Sequence, residues 1–225
     1  GEGLPIYQDL SFKIKFPVSK NANISIWGIG GIDDYRKYAE EDSTLWTFEQ
    51  ARKDIHSKFK SGSIGIKYQQ LFSNSSYLHF SVALSSFYQQ NNAKWLDDDL
   101  EYLDINKSSY LDSKLSAKIL YNIKHNSRLT TRYGAIGNYL AYDYDVSISG
   151  NMVDEFIKVT DVRGNSSLWQ IFAQSKYSIT QNLFFNVGIH SMYFKLNNKY
   201  SIEPRAGLKW NINNKHSISA AYGLH

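Results

Sequence analysis

Apolar and polar residues alternate with a period of two along most of the chain. The clearest stretch runs from Ser201 to Ile212, where every second residue from Ile202 is apolar and the residues between are polar or glycine. A helix would scatter these side chains around its circumference, whereas a strand separates them onto two opposite faces. The pattern therefore predicts β-strands, and its recurrence along the chain predicts ten of them.

The connections between the predicted strands indicate the architecture. Short connections rich in Asn, Ser or Lys, which suit tight hairpins, alternate with longer ones. The short connections are 18–22, 73–76, 124–127, 180–182 and 213–215, and the others are 31–61, 89–111, 141–166 and 197–200. The strand near 23–30 is the least regular, because Ile24, Trp27 and Ile29 do not share one face. The alternation predicts an up-and-down antiparallel sheet with short turns at one end and long loops at the other.

The two predicted faces suit two different solvents. Cations lie opposite the apolar residues, namely Lys13, Lys15, Lys67, Lys118, Arg128, Arg132, Arg205 and Lys209. The predicted strands are about 9–13 residues long, which is long for a soluble sheet and right for a membrane. Aromatic residues are predicted to form two interface girdles, with Phe16, Phe72, Tyr77, Tyr177 and Trp210 near the turns and Trp27, Tyr88, Tyr110, Tyr139 and Trp169 near the loops. We therefore predict an all-β fold, an antiparallel up-and-down transmembrane β-barrel or barrel segment of about ten strands, in a single domain of residues 1–225.

Composition excludes several classes of function. The chain has no cysteine, so disulfides and thiolate zinc sites are excluded. Its net charge of +4 is spread along the sequence, which argues against a nucleic-acid partner. No apolar run is long enough for a transmembrane helix, and the first residues, Gly1 to Pro5, lack the features of a signal peptide, which is absent or already removed. No phosphate-binding, dinucleotide or nucleophile-elbow motif occurs, so no cofactor is expected.

The last part of the chain resembles a known family. The stretch Ile202-Glu203-Pro204-Arg205-Ala206-Gly207-Leu208-Lys209-Trp210, followed by a strand ending in Tyr222-Gly223, resembles TonB-dependent outer-membrane receptors of the Bacteroidetes type. The stretch Trp27-Gly28-Ile29-Gly30-Gly31 also looks like their mid-barrel strands. The resemblance implies a bacterial outer-membrane location and uptake of a large nutrient, such as a siderophore or glycan, by a receptor rather than an enzyme. It further implies contact with outer-membrane lipid, and possible contact with a surface lipoprotein.

The chain also departs from that family. Transporters of this class have about 22 strands around a plugged lumen, whereas ten are predicted here, with no plug domain and no TonB box. The last residue, His225, does not end an aromatic-terminated final strand. The resemblance therefore predicts a segment of a barrel wall, for which TonB and a plug are partners only within a full-length receptor.

Candidate ligand-binding residues lie in the predicted long loops. Tyr35, Tyr38, Trp46 and Trp95 have rings that suit stacking on a sugar or peptide, although packing between loops is the alternative. Asp143 and Tyr144 lie together in another predicted loop. The helix-compatible residues 49–53 predict a short surface helix beside Trp46.

An acidic run of residues, 97–104, supplies the candidate metal ligands. Asp97, Asp99 and Glu101 carry oxygen atoms of the kind that bind Ca²⁺, but the spacing of an EF-hand is missing. A solvated acidic loop is the competing interpretation. Two other functions remain open, a stand-alone ten-stranded barrel enzyme (a protease or lipase) using Asp97, Asp98 or Asp143, and an adhesive or structural barrel.

Overall fold

The computed structural model describes residues 5–149 and 155–224, which form one antiparallel sheet of ten strands. Each strand pairs with the strand that follows it in the chain, so the sheet order equals the sequence order. The strands are β1 (Pro5–Ser19), β2 (Ala22–Lys37), β3 (Lys53–Ser73), β4 (Ser76–Leu96), β5 (Tyr102–Lys124), β6 (Leu129–Ser149), β7 (Phe156–Ser178), β8 (Leu183–Phe194), β9 (Lys199–Asn211) and β10 (Ser217–Gly223). The predicted all-β, up-and-down antiparallel fold is confirmed.

The sheet is open within the described residues. β1 pairs with β2 alone and β10 pairs with β9 alone, and these two outermost strands are not paired with each other. Each therefore presents one row of unpaired backbone N–H and C=O groups, which in other sheets recruit further strands.

The predicted strand lengths and long loops were wrong. β5 and β7 each contain 23 residues, and β3, β4 and β6 each contain 21. Residues 31–37, 53–61, 89–96, 102–111, 141–149 and 156–166, predicted to lie in loops, are paired strand residues. Alternation is weak in these stretches because both faces are polar or mixed there, yet their backbone groups still pair across the strands.

Cross-strand register assigns every strand residue to one of two faces, because directly paired residues point the same way. Val82 pairs with Ile66 and Ala117, and this row defines the apolar face. Ser81 pairs with Lys67 and Lys118, and this row defines the polar face. In β2, Ile24 and Ile26 belong to the apolar face, whereas Trp27 and Ile29 belong to the polar face. This explains the irregular sequence pattern of that strand.

A glycine on the neighbouring strand makes room for Trp27, the aromatic residue of β2 on the polar face. Trp27 lies over Gly65, its partner on β3, and a Cβ atom there would come within 2.7 Å of the indole Cζ2. Phe172 covers Gly134 in the same way on the polar face. The absent side chain therefore makes room for a large ring against the neighbouring strand.

The apolar face carries no charged residue in what we call the turn-side half of the described sheet. This half comprises 10–19, 22–32, 62–73, 76–86, 113–124, 129–141, 165–178 and all of β8, β9 and β10. Except for β10, its strand segments are at least as long as the roughly nine to eleven residues that a tilted strand needs to cross a bilayer core. Beyond it, in the outer half, the same face bears Lys60, Asp143 and Arg163. The change from apolar to charged residues on this face separates the turn-side half from the outer half.

The aromatic girdle prediction was partly wrong. Phe16, Tyr177 and Trp210 lie on the apolar face near the turns, and Tyr139 and Trp169 lie on it further out. Trp27, Tyr77 and Tyr110 instead lie on the polar face. Arg128, predicted on a strand, lies in the turn between β5 and β6. A one-residue difference in register exchanges the two faces, and the sequence pattern did not fix the register at these positions.

Residues 38–52 form the longest connection of the described chain and contain local helical structure. Between β2 and β3 the chain forms two single-turn 3₁₀ segments, Ser43–Leu45 and Glu49–Arg52, so the short helix predicted at 49–53 is present. Within the described residues, no helix is long and apolar enough to cross a membrane.

Candidate functional site

The polar face is concave and forms the candidate site. One hollow of about 980 Å³ lies over β5 to β10 and is lined by polar-face side chains that include Lys118, Arg132 and Gln170. A second, of about 800 Å³, lies over β1 to β6 at the border between the two halves, and its lining includes Phe87, Asp112 and Tyr142. Both are open on one side, as expected for a curved sheet that could line a wet lumen.

Positive charge dominates the polar face of the turn-side half. Its cations are Lys13, Lys15, Lys67, Lys114, Lys118, Lys124, Arg132, Lys176, Lys199, Arg205 and Lys209. Among the described residues, Glu203 is the one carboxylate on the polar face of the turn-side half. A water-filled lumen tolerates these charges, whereas lipid would not.

Glu203 is buried in a dense polar network and does not neutralise the rest of the face. One carboxylate oxygen lies 3.0 Å from His190 Nδ1 and 2.7 Å from Arg205 Nη2, and Ser201 donates to the other at 2.9 Å. His190 also contacts Gln170 at 3.2 Å. The carboxylate is therefore fully engaged on β8 and β9, and Lys67, Lys118 and Arg132 lack a carboxylate partner within the described chain.

A cluster of tyrosines occupies the polar face of the outer half. Tyr144 packs against Tyr110 and Tyr142, with ring centroids 5.5 and 5.4 Å apart. Its hydroxyl donates a 2.7 Å hydrogen bond to Asp112 Oδ1. Tyr142 lies over Gly164 on the neighbouring strand. Contacts of this kind, rings beside one carboxylate, suit stacking on a ligand that also offers hydrogen-bond donors.

We expect Tyr144 to titrate later than an ordinary tyrosine. The hydrogen bond to Asp112 and the burial of the phenol, together with the negative charge of Asp112, raise the pKa of Tyr144 above its usual value of about 10. Its contribution to stability is therefore fully present below the unfolded pKa and is lost as pH rises through the folded pKa. The titration of Tyr144 is measured by ultraviolet absorbance, as the difference between the curves of the parent and of Tyr144→Phe. In Asp112→Asn this transition should move to lower pH. An unchanged transition in Asp112→Asn would contradict this assignment.

Trp46 and Trp95, predicted as ligand contacts, are brought together around an arginine. The Arg52 guanidinium carbon lies 4.2 Å from the Trp46 ring centroid and 4.8 Å from that of Trp95. Its Nε donates to Leu96 O at 2.8 Å, and its Nη2 pairs with Asp98. The two rings therefore pack the loops against each other, which was the alternative to stacking on a ligand. We call residues 38–52 and 95–101 the outer lobe.

The remaining ligand candidates do not form one site. Asp143 and Tyr144 are neighbours in sequence but point to opposite faces of β6, and Asp143 pairs with Arg163 at 2.6 Å on the charged outer part of the apolar face. Tyr35 lies on the polar face beside Ser57, and Tyr38 is exposed in the outer lobe. Tyr144 is therefore the candidate that the structure places beside other potential ligand contacts.

The acidic segment forms a tight turn between β4 and β5. Asp97 Oδ1 accepts backbone hydrogen bonds from Asp99 at 3.0 Å and from Glu101 at 2.8 Å. Within the described residues, no three His or acidic side chains are grouped as a metal site would require. The contacts of Asp97 explain the acidic run locally, as a turn cap.

Sequence reasoning missed several residues of this face. Tyr110, Tyr142 and Asp112 were not selected as ligand contacts, because the alternation within a single strand does not distinguish them. Their common signal is the cross-strand register, which pairs Tyr110 with Tyr144 and Asp112 with Tyr142. That register links residues far apart in the chain, and no periodicity within one strand reveals it.

Comparisons with known proteins bear on the fold. No protein-family profile and no curated protein matches the sequence. The chain is similar in structure to the ferric-catecholate import receptor Fiu from E. coli K12 (TM-score 0.64, 9% identity, 98% of this chain and 40% of that chain). It is also similar to the RagAB peptide importer, with a TM-score of 0.65 and 11% identity over 96% of this chain and 32% of that chain. A third similar structure is BauA, the ferric preacinetobactin receptor from Acinetobacter baumannii, with a TM-score of 0.62 and 12% identity over 96% of this chain and 39% of that chain. The chain thus spans about a third to two-fifths of these proteins, and its fold is that of outer-membrane barrel walls.

Proposed function

We propose that this chain is part of the wall of an outer-membrane transport barrel, of the TonB-dependent receptor type found in Bacteroidetes, that takes up a large nutrient such as a siderophore or a glycan. The observation that carries the proposal is the two-faced sheet. An uncharged apolar face backs a concave face crowded with cations, over segments long enough to cross a bilayer. A soluble protein would have to cover the broad apolar surface with further structure.

The extent of the structural similarity supports a receptor wall. Nearly the whole chain superposes on part of three import receptors, and the terminal Ile202–Trp210 stretch resembles the same class in its residues. The unpaired edges of β1 and β10 would pair with neighbouring strands of a larger wall, which would satisfy their backbone groups. In such a receptor, a plug domain and TonB would be partners, and lipid would contact the apolar face.

The outer half fits a receptor that holds its ligand above the membrane. Strands β3 to β7 continue about ten residues past the apolar surface, a distance along the strand of about 33 Å. The tyrosine cluster with Asp112 faces the concave side of this extension. A surface lipoprotein would contact the outer lobe, which connects strands at the outer end of this wall.

The proposed role is not enzymatic. The acids that a rim hydrolase would use are distributed over separate elements, with Asp97 capping the turn between β4 and β5 and Asp98 paired with Arg52. Asp143 pairs with Arg163. The cross-strand partner of Asp143 is Leu111, nine residues along β5 from Tyr102, so these acids lie far apart.

Deletion and complementation test the transport proposal. A strain lacking the gene should lose growth on at least one large nutrient in a panel of siderophores and glycans, and the full-length gene should restore it. The same nutrient should fail to support a strain depleted of TonB. Restoration that is independent of TonB, or a full-length protein absent from the outer-membrane fraction, would contradict the proposal.

A further inference from the structure

We propose that the hollow over β5 to β10 on the polar face binds an acidic segment of the plug domain, whose carboxylates pair with Lys118 and Arg132. The inference rests on the proposed transport function, which supplies the plug, and it names the chemistry of the plug surface that meets this wall. The hollow and its charge belong to the described wall and do not depend on that function.

The hollow is a depression in the turn-side half of the concave face, with a volume of about 980 Å³. Its floor is low because the cross-strand row from Arg132 continues through Gln174, Gly188, Arg205 and Gly223. The two glycines have no side chain to fill the space above the sheet. Protein interiors leave few voids larger than a water molecule, so a plug that covers this face would place its own side chains in the hollow.

The hollow carries positive charge that the described wall does not neutralise. Lys118, Arg132 and Arg205 are among its lining residues. Arg205 is paired with Glu203 at 2.7 Å, and the same carboxylate lies 3.0 Å from His190. Lys118 and Arg132 are exposed and have no ion-pair partner among the described residues. Two free cations therefore face whatever occupies the hollow.

A plug over the hollow would leave these two cations in need of a partner. In an open lumen, water would solvate both side chains, whereas a plug displaces much of that water. A cation removed from water is tolerated when it is paired with a carboxylate and is costly when it is left alone. We therefore expect the plug surface over Lys118 and Arg132 to carry Asp or Glu rather than apolar or basic residues.

The spacing of the two cations suits one short segment. Lys118 pairs with Ile136, and Arg132 lies four residues from Ile136 along β6. With a rise of about 3.3 Å per residue and a strand separation of about 4.8 Å, the Cα atoms of Lys118 and Arg132 are about 14 Å apart. About four or five extended residues span that distance. The Arg132 guanidinium can bind a carboxylate through two parallel hydrogen bonds, which adds geometric specificity.

Zero-length cross-linking of the full-length protein in outer-membrane fragments tests the partner. A carbodiimide joins a lysine amine to a carboxylate that lies against it, so mass spectrometry of the digest should recover Lys118 joined to Asp or Glu of the plug domain. Lys60 is the matched control, because it is an exposed lysine on the opposite face of the sheet, and it should form no such product. Lys118 joined only to other barrel strands, or to no carboxylate, would overturn the proposal.

Charge reversal measures how far the pairing holds the plug in place. Replacing both cations, Lys118→Glu with Arg132→Glu, should speed hydrogen exchange of the plug amides over the hollow by at least about tenfold, because like charges would then face each other. The conservative pair, Lys118→Arg with Arg132→Lys, should change these rates by less than about twofold. The heat-modifiable gel mobility of each variant should equal that of the parent, which shows that the barrel has folded.

Lys60→Glu is the matched control for charge reversal, since it makes the same change of charge outside the lumen. It should leave the plug amides unchanged. Equal acceleration in Lys60→Glu and in the double reversal would overturn the proposal, because it would reflect net charge alone. Unchanged exchange in the double reversal would overturn it as well.

The two proposals fail separately. TonB-dependent uptake of a nutrient by a protein in which Lys118 joins no plug carboxylate would remove the acidic contact and leave the transport function. Lys118 joined to an acidic segment inside the lumen of a protein whose uptake is independent of TonB would leave the contact and remove the TonB-dependent assignment.

Discussion

Arginine in place of Val82 is expected to prevent insertion of the wall into a membrane, or to destabilise the inserted state by about 2–4 kcal/mol. Val82 lies on the uncharged apolar face between Ile66 and Ala117, near the middle of the turn-side half. A guanidinium there would face hydrocarbon without a partner. Urea unfolding of the full-length protein in lipid vesicles, together with heat-modifiable gel mobility, measures the effect.

Ala83→Arg is the matched control, one residue along the same strand. Ala83 pairs with Gly65 and Ser116 on the polar face, where the new side chain would point into water. We expect its unfolding free energy to change by less than about 1 kcal/mol, the usual range for an accommodating surface position. Equal damage by the two substitutions would mean that the apolar face is not the lipid face.

Alanine in place of Arg52 should release the outer lobe without unfolding the sheet. Arg52 stacks between Trp46 and Trp95 and donates to Leu96 O, and Leu96 is the most deeply buried large side chain in the described structure. Losing two cation–π contacts and one hydrogen bond should cost on the order of 2–3 kcal/mol locally. The exposed ion pair with Asp98 adds little.

Hydrogen exchange of the lobe reports the release. The Glu40 amide donates to Ala51 O at 2.7 Å and the Ala51 amide donates to Phe48 O at 2.9 Å. Both should exchange roughly a hundredfold faster in Arg52→Ala, as expected for a local opening of that cost. Arg163→Ala, which removes an arginine from a highly exposed ion pair with Asp143, should leave these amides unchanged. Global loss of protection in Arg52→Ala would contradict a local role.

The strict alternation of apolar and polar residues made much of the fold readable from sequence. Where one face is apolar and the other polar, alternation is strict, as in 64–68, 115–123 and 202–212. The ten strands, their up-and-down order and their short turns were therefore predicted correctly. The outer halves of β3 to β7 were missed because both of their faces carry polar or mixed residues, so these stretches have no alternating pattern.

The candidate site was less predictable than the fold. The polar-face cations Lys67, Lys118 and Arg132 were recognised singly, from their positions opposite apolar residues. Their relation to each other was not, and neither was the separation of Asp143 from Tyr144. Placing Ser81 between two lysines requires the register of β3, β4 and β5, which a short stretch of sequence leaves open.

The sequence by itself separated an apolar from a polar face wherever the alternation is strict, because a period of two places neighbouring side chains of a strand on opposite faces. It also determined the number of strands and the positions of the turns between them. Only the tertiary structure decided how far the strands extend, that Arg52 joins Trp46 to Trp95, and which cations pair across the strands with Ser81. Those outcomes depend on hydrogen-bonded register and on contacts between distant residues, and both arise only when the strands pair.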